Sequence, residues 1–202
     1  MIEARRVGQP RFSRYEIQEI SKAWAVLSLA FAIYFNHGIS DIVGLVTFFV
    51  ISGLTVGVGF LLHELGHKFV AQKYGLWAEF RAYNQGLVLA LVMSFFGFIF
   101  AAPGAVMIHG MTSPARLGKI SVAGPSVNYV LAVIFAVLGL LNPLPAISML
   151  FSYGATINAF LGTFNLIPFH PFDGKKILDW SGLRYGMMVV LGFALIVLTM
   201  IS

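Results

Sequence analysis

His63-Glu64-Leu65-Gly66-His67 is the stretch of this chain whose residue types and spacing point most directly to chemistry. Residues four apart on a helix lie on one face, so the two imidazoles converge on a single point. Such a pair holds a divalent metal, and Glu64 projects beside it, where a carboxylate can take a proton from a water. This is the H-E-x-x-H arrangement of zinc hydrolases, two histidine ligands with a glutamate general base. Ionisable groups at membrane depth are costly and usually functional, and three of them follow here directly on the uncharged run 42–62.

Zinc on two histidines takes a third protein ligand and keeps an open position. With no cysteine, five histidines and eight acidic residues, the chain has few candidates. Asp41 lies at the far end of the same run, about 30 Å away along a helix. Glu3, Glu16 and Glu19 fall in a basic N-terminal segment, and Glu79 on a polar loop. The segment 165–174, Asn-Leu-Ile-Pro-Phe-His-Pro-Phe-Asp-Gly, is different. It ends an apolar run, its prolines stop a regular helix, and Gly174 permits a sharp turn. Asp173 is the expected third ligand, with His170 as the alternative donor. Three amides within apolar runs, Asn128, Asn158 and Asn165, are candidates for substrate or oxyanion contact, or for bonds between helices.

The elements that must position these residues are membrane spans. Apolar residues make up 58% of the 202-residue chain and charged ones 10%, against about 45–50% and 25% in soluble domains. That composition excludes a cytosolic enzyme, a disordered chain and a nucleic-acid-binding module. It predicts an all-α polytopic membrane protein, one transmembrane domain over 1–202, with a basic cytosolic segment over 1–20 and a core over 42–178. Six apolar stretches are candidates: Trp24–Phe35, Ile42–Leu62, Gly86–Ile108, Ile120–Leu141, Leu144–Phe169 and Tyr185–Ser202. Gly53 and Gly57 mark close helix packing.

Parity limits how many of these cross. Zinc–ligand bonds are about 2 Å and the hydrocarbon core about 30 Å thick, so His67 and Asp173 must share a side and a depth. Three crossings between them would separate them. Gly86–Ile108, broken by Gly97 and by Ala101-Ala102-Pro103-Gly104, is the stretch expected to enter and leave on one side as a partly extended, re-entrant segment. Charge agrees with five crossings rather than six. All 13 Lys and Arg then lie on the N-terminal, cytosolic side, whereas a sixth crossing would put Arg116, Lys119, Lys175, Lys176 and Arg184 outside.

These motifs resemble the site-2 protease family of intramembrane zinc metalloproteases. His63-Glu64-Leu65-Gly66-His67, the 165–174 segment and Ala123-Gly124-Pro125-Ser126-Val127-Asn128 are similar to that family's elements. The resemblance implies a minimal catalytic core without PDZ or CBS domains and with a membrane-embedded β layer near 86–108. It further implies one zinc per chain, an active-site role for Asn165 and the transmembrane segment of another protein as substrate. An extended edge in 86–108 would pair with that segment once unwound. Polar groups at Ser126, Asn128, Thr156, Thr163 and Asn165 would line a water path. The alternative is a metal-binding transporter or an inactive scaffold, which has no need of Glu64 as a base.

Overall fold

The computed structural model of the chain describes residues 12–99, 102–142 and 144–201. Helix α1 (Arg14–Phe35) starts at Ser13, whose hydroxyl accepts the Glu16 amide at 3.0 Å. Helix α2 (Ile42–Lys73) starts at Asp41, which accepts the Gly44 amide at 3.0 Å. Asp41 is thus an N-cap. Strand β1 (Trp77–Ala82), helix α3 (Asn84–Ser94) and strand β2 (Gly104–His109) follow. The rest is helical: α4 (Pro114–Leu140), α5 (Ser148–Phe164), the short α6 (Asp173–Trp180) and α7 (Gly182–Ile201).

Helix α2 carries the zinc motif, and α1 deforms it. The Trp24 indole donates to the Gly53 carbonyl at 2.9 Å. A Cβ on Gly53 or Gly57 would come within 2.8 Å of the Trp24 ring. Residues Gly53–Gly57 form a π turn at this wedge. An inserted side chain that competes for the carbonyl ladder is a recognised cause of such a distortion. The two glycines do serve close packing, and their partner is α1.

Strands β1 and β2 pair antiparallel, with Trp77 opposite His109 and Ala82 opposite Gly104. The chain between them therefore leaves and returns to one place, as parity requires. The stretch is of mixed structure, with residues 84–94 helical and 104–109 extended. One detail differs from expectation: the paired region begins earlier, with Glu79 on β1 rather than on a loop. The apolar run 87–92 satisfies its own backbone as a helix, whereas the strand at 77–82 owes its existence to a partner 22 or more residues later.

The N-terminal reading also changes. Residues 1–11 lie outside the described residues, but 14–20 belong to α1, and Glu16 and Glu19 are buried. Both face the outer edge of β1. Glu16 Oε1 accepts the Phe80 amide at 2.8 Å and Glu19 Oε2 accepts the Ala82 amide at 3.1 Å. Alternate amides on a strand point to one side, so these carboxylates stand where a third strand would bond. The other oxygen of Glu16 pairs with Lys68, and both side chains are fully buried.

Packing is inverted relative to a soluble protein. Ala30, Ala132 and Ala159 are buried with Ser28, Asn128 and Asn158, while Val43, Leu140 and Ile201 are each more than 75% exposed. Small and polar residues inside with large apolar ones outside suit a bundle in lipid. Among the described residues three helices are long and apolar enough to cross a membrane: α2, α4 and α7. The other two helices expected to cross fall short of that measure. Helix α1 opens with Arg14, Glu16, Glu19 and Lys22, and α5 has 17 residues.

Removing one partner of a buried ion pair is strongly destabilising, because the other charge loses that counterion. Glu16→Ala is expected to cost about 3–5 kcal/mol of stability, measured by denaturation in detergent. Glu16→Ala combined with Lys68→Met should recover much of that loss; equal stability of the single and double variants would remove the pair as the cause.

Candidate metal centre

Helix α2 presents His63, Glu64 and His67 towards α4, and α6 begins against them with Asp173. All four side chains are buried. His63 Nε2 lies 3.0 Å from His67 Nε2, and Asp173 Oδ2 lies 3.3 Å from the first and 2.9 Å from the second. Residues 106 positions apart in the chain thus meet at one point, and among the described residues His63, His67 and Asp173 are the one group whose ligand atoms lie close enough together to hold a metal ion.

The far side of each imidazole settles what faces that point. His67 Nδ1 lies 2.8 Å from the Ile120 carbonyl, which can only accept. His63 Nδ1 lies 2.6 Å from Asn128 Oδ1. The orientation of that amide is set by its other end, since Asn128 Nδ2 donates to the Gly59 carbonyl at 3.2 Å. It also donates to Asn158 Oδ1 at 3.0 Å, and Asn158 Nδ2 donates to the Gly154 carbonyl at 2.9 Å. Both Nδ1 atoms therefore carry a proton, and both Nε2 atoms face a carboxylate oxygen. Three such atoms this close repel unless a proton or a metal ion lies among them.

Zinc fits that set. Bonds of about 2.0–2.1 Å in a tetrahedron place ligand atoms about 3.3 Å apart, near the separations seen. Nitrogen and oxygen donors suit the ion, and each histidine has the outer hydrogen bond typical of a metal ligand.

Close approach explains two motif glycines. A Cβ on Gly124 would collide with the Nε2 atoms of both His63 and His67. A Cβ on Gly174 would collide with the Leu166 backbone, while the Gly174 amide donates to the Asn165 carbonyl at 2.8 Å. The first keeps α4 from filling the metal position, and the second lets α6 start against the end of α5.

Glu64 sits at the strand. Its Oε2 accepts the Val106 amide of β2 at 2.8 Å. The outer edge of β2 therefore faces the candidate base, while the outer edge of β1 is closed by α1.

The amides expected near substrate divide. Asn128 and Asn158 are fully buried and support His63 from behind. The Asn165 side chain donates to the Leu161 carbonyl of its own helix at 2.9 Å, and its main chain anchors α6. His170 is exposed, outside the cluster that Asp173 joins. Thr163 donates to Ala159 and contacts the Tyr129 hydroxyl, and Thr156 bonds the Thr199 carbonyl, so both serve helix contacts. Three participants carry no motif: the Val106 amide, the Ile120 carbonyl, and Lys176, 3.4 Å from Asp173 Oδ1. Backbone groups have no residue-type signal. Lys176, one helical turn after Asp173, was open to the spacing rule.

Known proteins offer a comparison. The provisionally named zinc metalloprotease MJ0611 of Methanocaldococcus jannaschii is 42% identical over 174 residues, covering 85% of this chain and 87% of that protein. Zinc metalloprotease MJ0392 of the same organism is 29% identical over 136 residues, 65% of this chain and 34% of its own length. The provisionally named zinc metalloprotease YwhC of Bacillus subtilis is 32% identical over 151 residues, 62% of this chain and 66% of its own. The chain thus spans most of MJ0611 but only a third of MJ0392. No family profile matches the chain, and no solved structure matches it.

Removing the outer hydrogen bond of a metal-binding histidine costs about 10–100-fold in metal affinity. Asn128→Ala should weaken zinc binding by that amount in competition with a chelator, without unfolding the protein. Unchanged affinity would mean that Asn128 does not orient His63.

Proposed function

Because the chain belongs to the site-2 protease family of zinc metalloproteases, we propose that it hydrolyses a peptide bond within or beside the transmembrane segment of another membrane protein. The observation that carries this reading is the convergence of His63, His67 and Asp173 beside a glutamate held on an open strand edge. In this reading His63, His67 and Asp173 hold one zinc per chain. When bound, that ion supplies a Lewis acid that acidifies a neighbouring water and polarises the scissile carbonyl. Glu64 accepts the proton of the attacking water and passes it to the departing amine. Asn128 and Asn158 keep His63 in its metal-facing tautomer. Asn165 reaches substrate only by giving up its bond to Leu161.

A transmembrane helix hides its carbonyls in its own hydrogen bonds and must unwind before hydrolysis. The outer edge of β2 is the one edge of the hairpin left for an unwound segment to pair with. An incoming strand competes with Glu64 for the Val106 amide, so docking and release of the base act on the same donor. The proposed topology has five crossings, by α1, α2, α4, α5 and α7. The hairpin and α3 form the re-entrant segment, and the N-terminus and metal centre lie towards the cytosol of a multi-pass protein in the cell membrane.

Loss of a positioned general base costs about 10²–10⁴-fold. Glu64→Gln should therefore retain zinc, by metal analysis, while cleaving a transmembrane substrate slower by that factor. Full activity with zinc bound overturns the mechanism. The absence of cysteine makes a single-cysteine series clean. Ser40→Cys and Asn142→Cys should react with an impermeant maleimide on intact cells, Thr112→Cys only after permeabilisation. Ile108→Cys should form a disulfide with a cysteine in the substrate segment. Reversed labelling defeats the topology, and no crosslink above background defeats pairing at β2.

A further inference from the structure

Away from the metal centre, a groove of about 280 Å³ opens between the start of α4, the end of α6 and the start of α7. It is lined by Val122, Met187, Met188 and Trp180, and by two cations, Lys119 and Arg184. Both cations are exposed, and among the described residues neither has a carboxylate partner. The Arg184 guanidinium lies over the Trp180 ring, 4.1 Å from its centre. The metal centre uses none of these six residues.

We propose that this groove seats an anionic phospholipid, with the phosphate between Lys119 and Arg184 and an acyl chain along Val122, Met187 and Met188. Three features favour that occupant. Among the described residues the charges lining the groove are two cations, which complement a phosphate, and the other lining residues are apolar or aromatic. Helices α4 and α7 are two of the three long enough to cross a membrane, so the groove runs onto faces such as that of Val190, which is 71% exposed. A tryptophan beside basic residues is the composition of a headgroup boundary, and basic pockets between spans are where anionic headgroups bind. Asp173 and Trp180 are the two ends of α6, so the lipid seat lies about two helical turns from the proposed third zinc ligand. The inference rests on the reading that α4 and α7 cross a bilayer and not on proteolytic chemistry.

The test uses the full chain in detergent, offered dioleoyl phosphatidylglycerol or dioleoyl phosphatidylcholine and examined by native mass spectrometry. One phosphatidylglycerol per chain should be retained in preference to phosphatidylcholine. Lys119→Gln with Arg184→Gln should lower that retention about thirtyfold, the order expected of two basic groups at an anionic headgroup. Arg116→Gln, a basic residue outside the groove, should leave it unchanged. Met187→Trp, which fills the groove without altering charge, should also expel the lipid and serves if the double variant fails to fold. Equal retention of the two lipids, or equal losses in the double variant and Arg116→Gln, overturns the proposal. Displacement by millimolar inorganic phosphate overturns it in favour of a free-anion site. Alkaline carbonate extraction of native membranes tests the bilayer reading separately. Release into the soluble fraction defeats that reading, whereas retention with unselective lipid binding defeats only the groove.

Discussion

Two imidazole lone pairs and a carboxylate oxygen must share one small volume without repelling each other apart, and the rest of the structure serves that constraint. The histidines come from one turn of α2 and the acid from a helix that begins 106 residues later. Holding them together requires the chain between to come back to the same depth. The hairpin supplies one return, since Trp77 and His109 lie opposite each other, and α4 and α5 supply the other as an antiparallel pair joined by a short turn. Asn128, Asn158 and the Ile120 carbonyl then fix the imidazoles from behind, so the lone pairs face inward before any ion arrives. Fixing the ligands in advance limits the reorganisation that binding must offset.

In the proposed topology a bilayer surrounds the hairpin and forbids unpaired backbone, which explains how α1 is used. A two-stranded hairpin has two open edges, each a row of amides and carbonyls needing partners. On β1 the acceptors are the carboxylates of Glu16 and Glu19, and the buried Lys68 balances the first. On β2 the Val106 amide is taken by Glu64. One edge is closed by fixed structural carboxylates and the other by the carboxylate proposed to act in catalysis. In the proposed mechanism that asymmetry makes β2 the side that receives the substrate strand.

Much of the site was legible because its residue types are rare in such a chain. Three ionisable groups in five positions after an apolar run, and an aspartate behind two prolines, stand out where only 10% of residues are charged. The hairpin was legible only in part. Residues 101–104 announce a break, but β1 reads locally as a polar loop, and nothing near Trp77 reveals a partner at His109. Glu16 and Glu19 read as a charged tail for the same reason, because their acceptor role depends on amides more than 60 positions away. The asparagines were visible as polar groups within apolar runs, but their direction was not.

The sequence by itself determined the chemistry available: a nitrogen and oxygen donor set, a glutamate beside it, and apolar lengths suited to lipid. It also determined that His67 and Asp173 must share a side, because metal bonds are short and a membrane is thick. Only the tertiary structure decided which nitrogen of each histidine faces inward, which strand edge faces Glu64, and which helix wedges α2 at Gly53. Those outcomes depend on hydrogen bonds between groups remote in sequence, several of them backbone atoms that every residue carries alike, so no residue type could announce them.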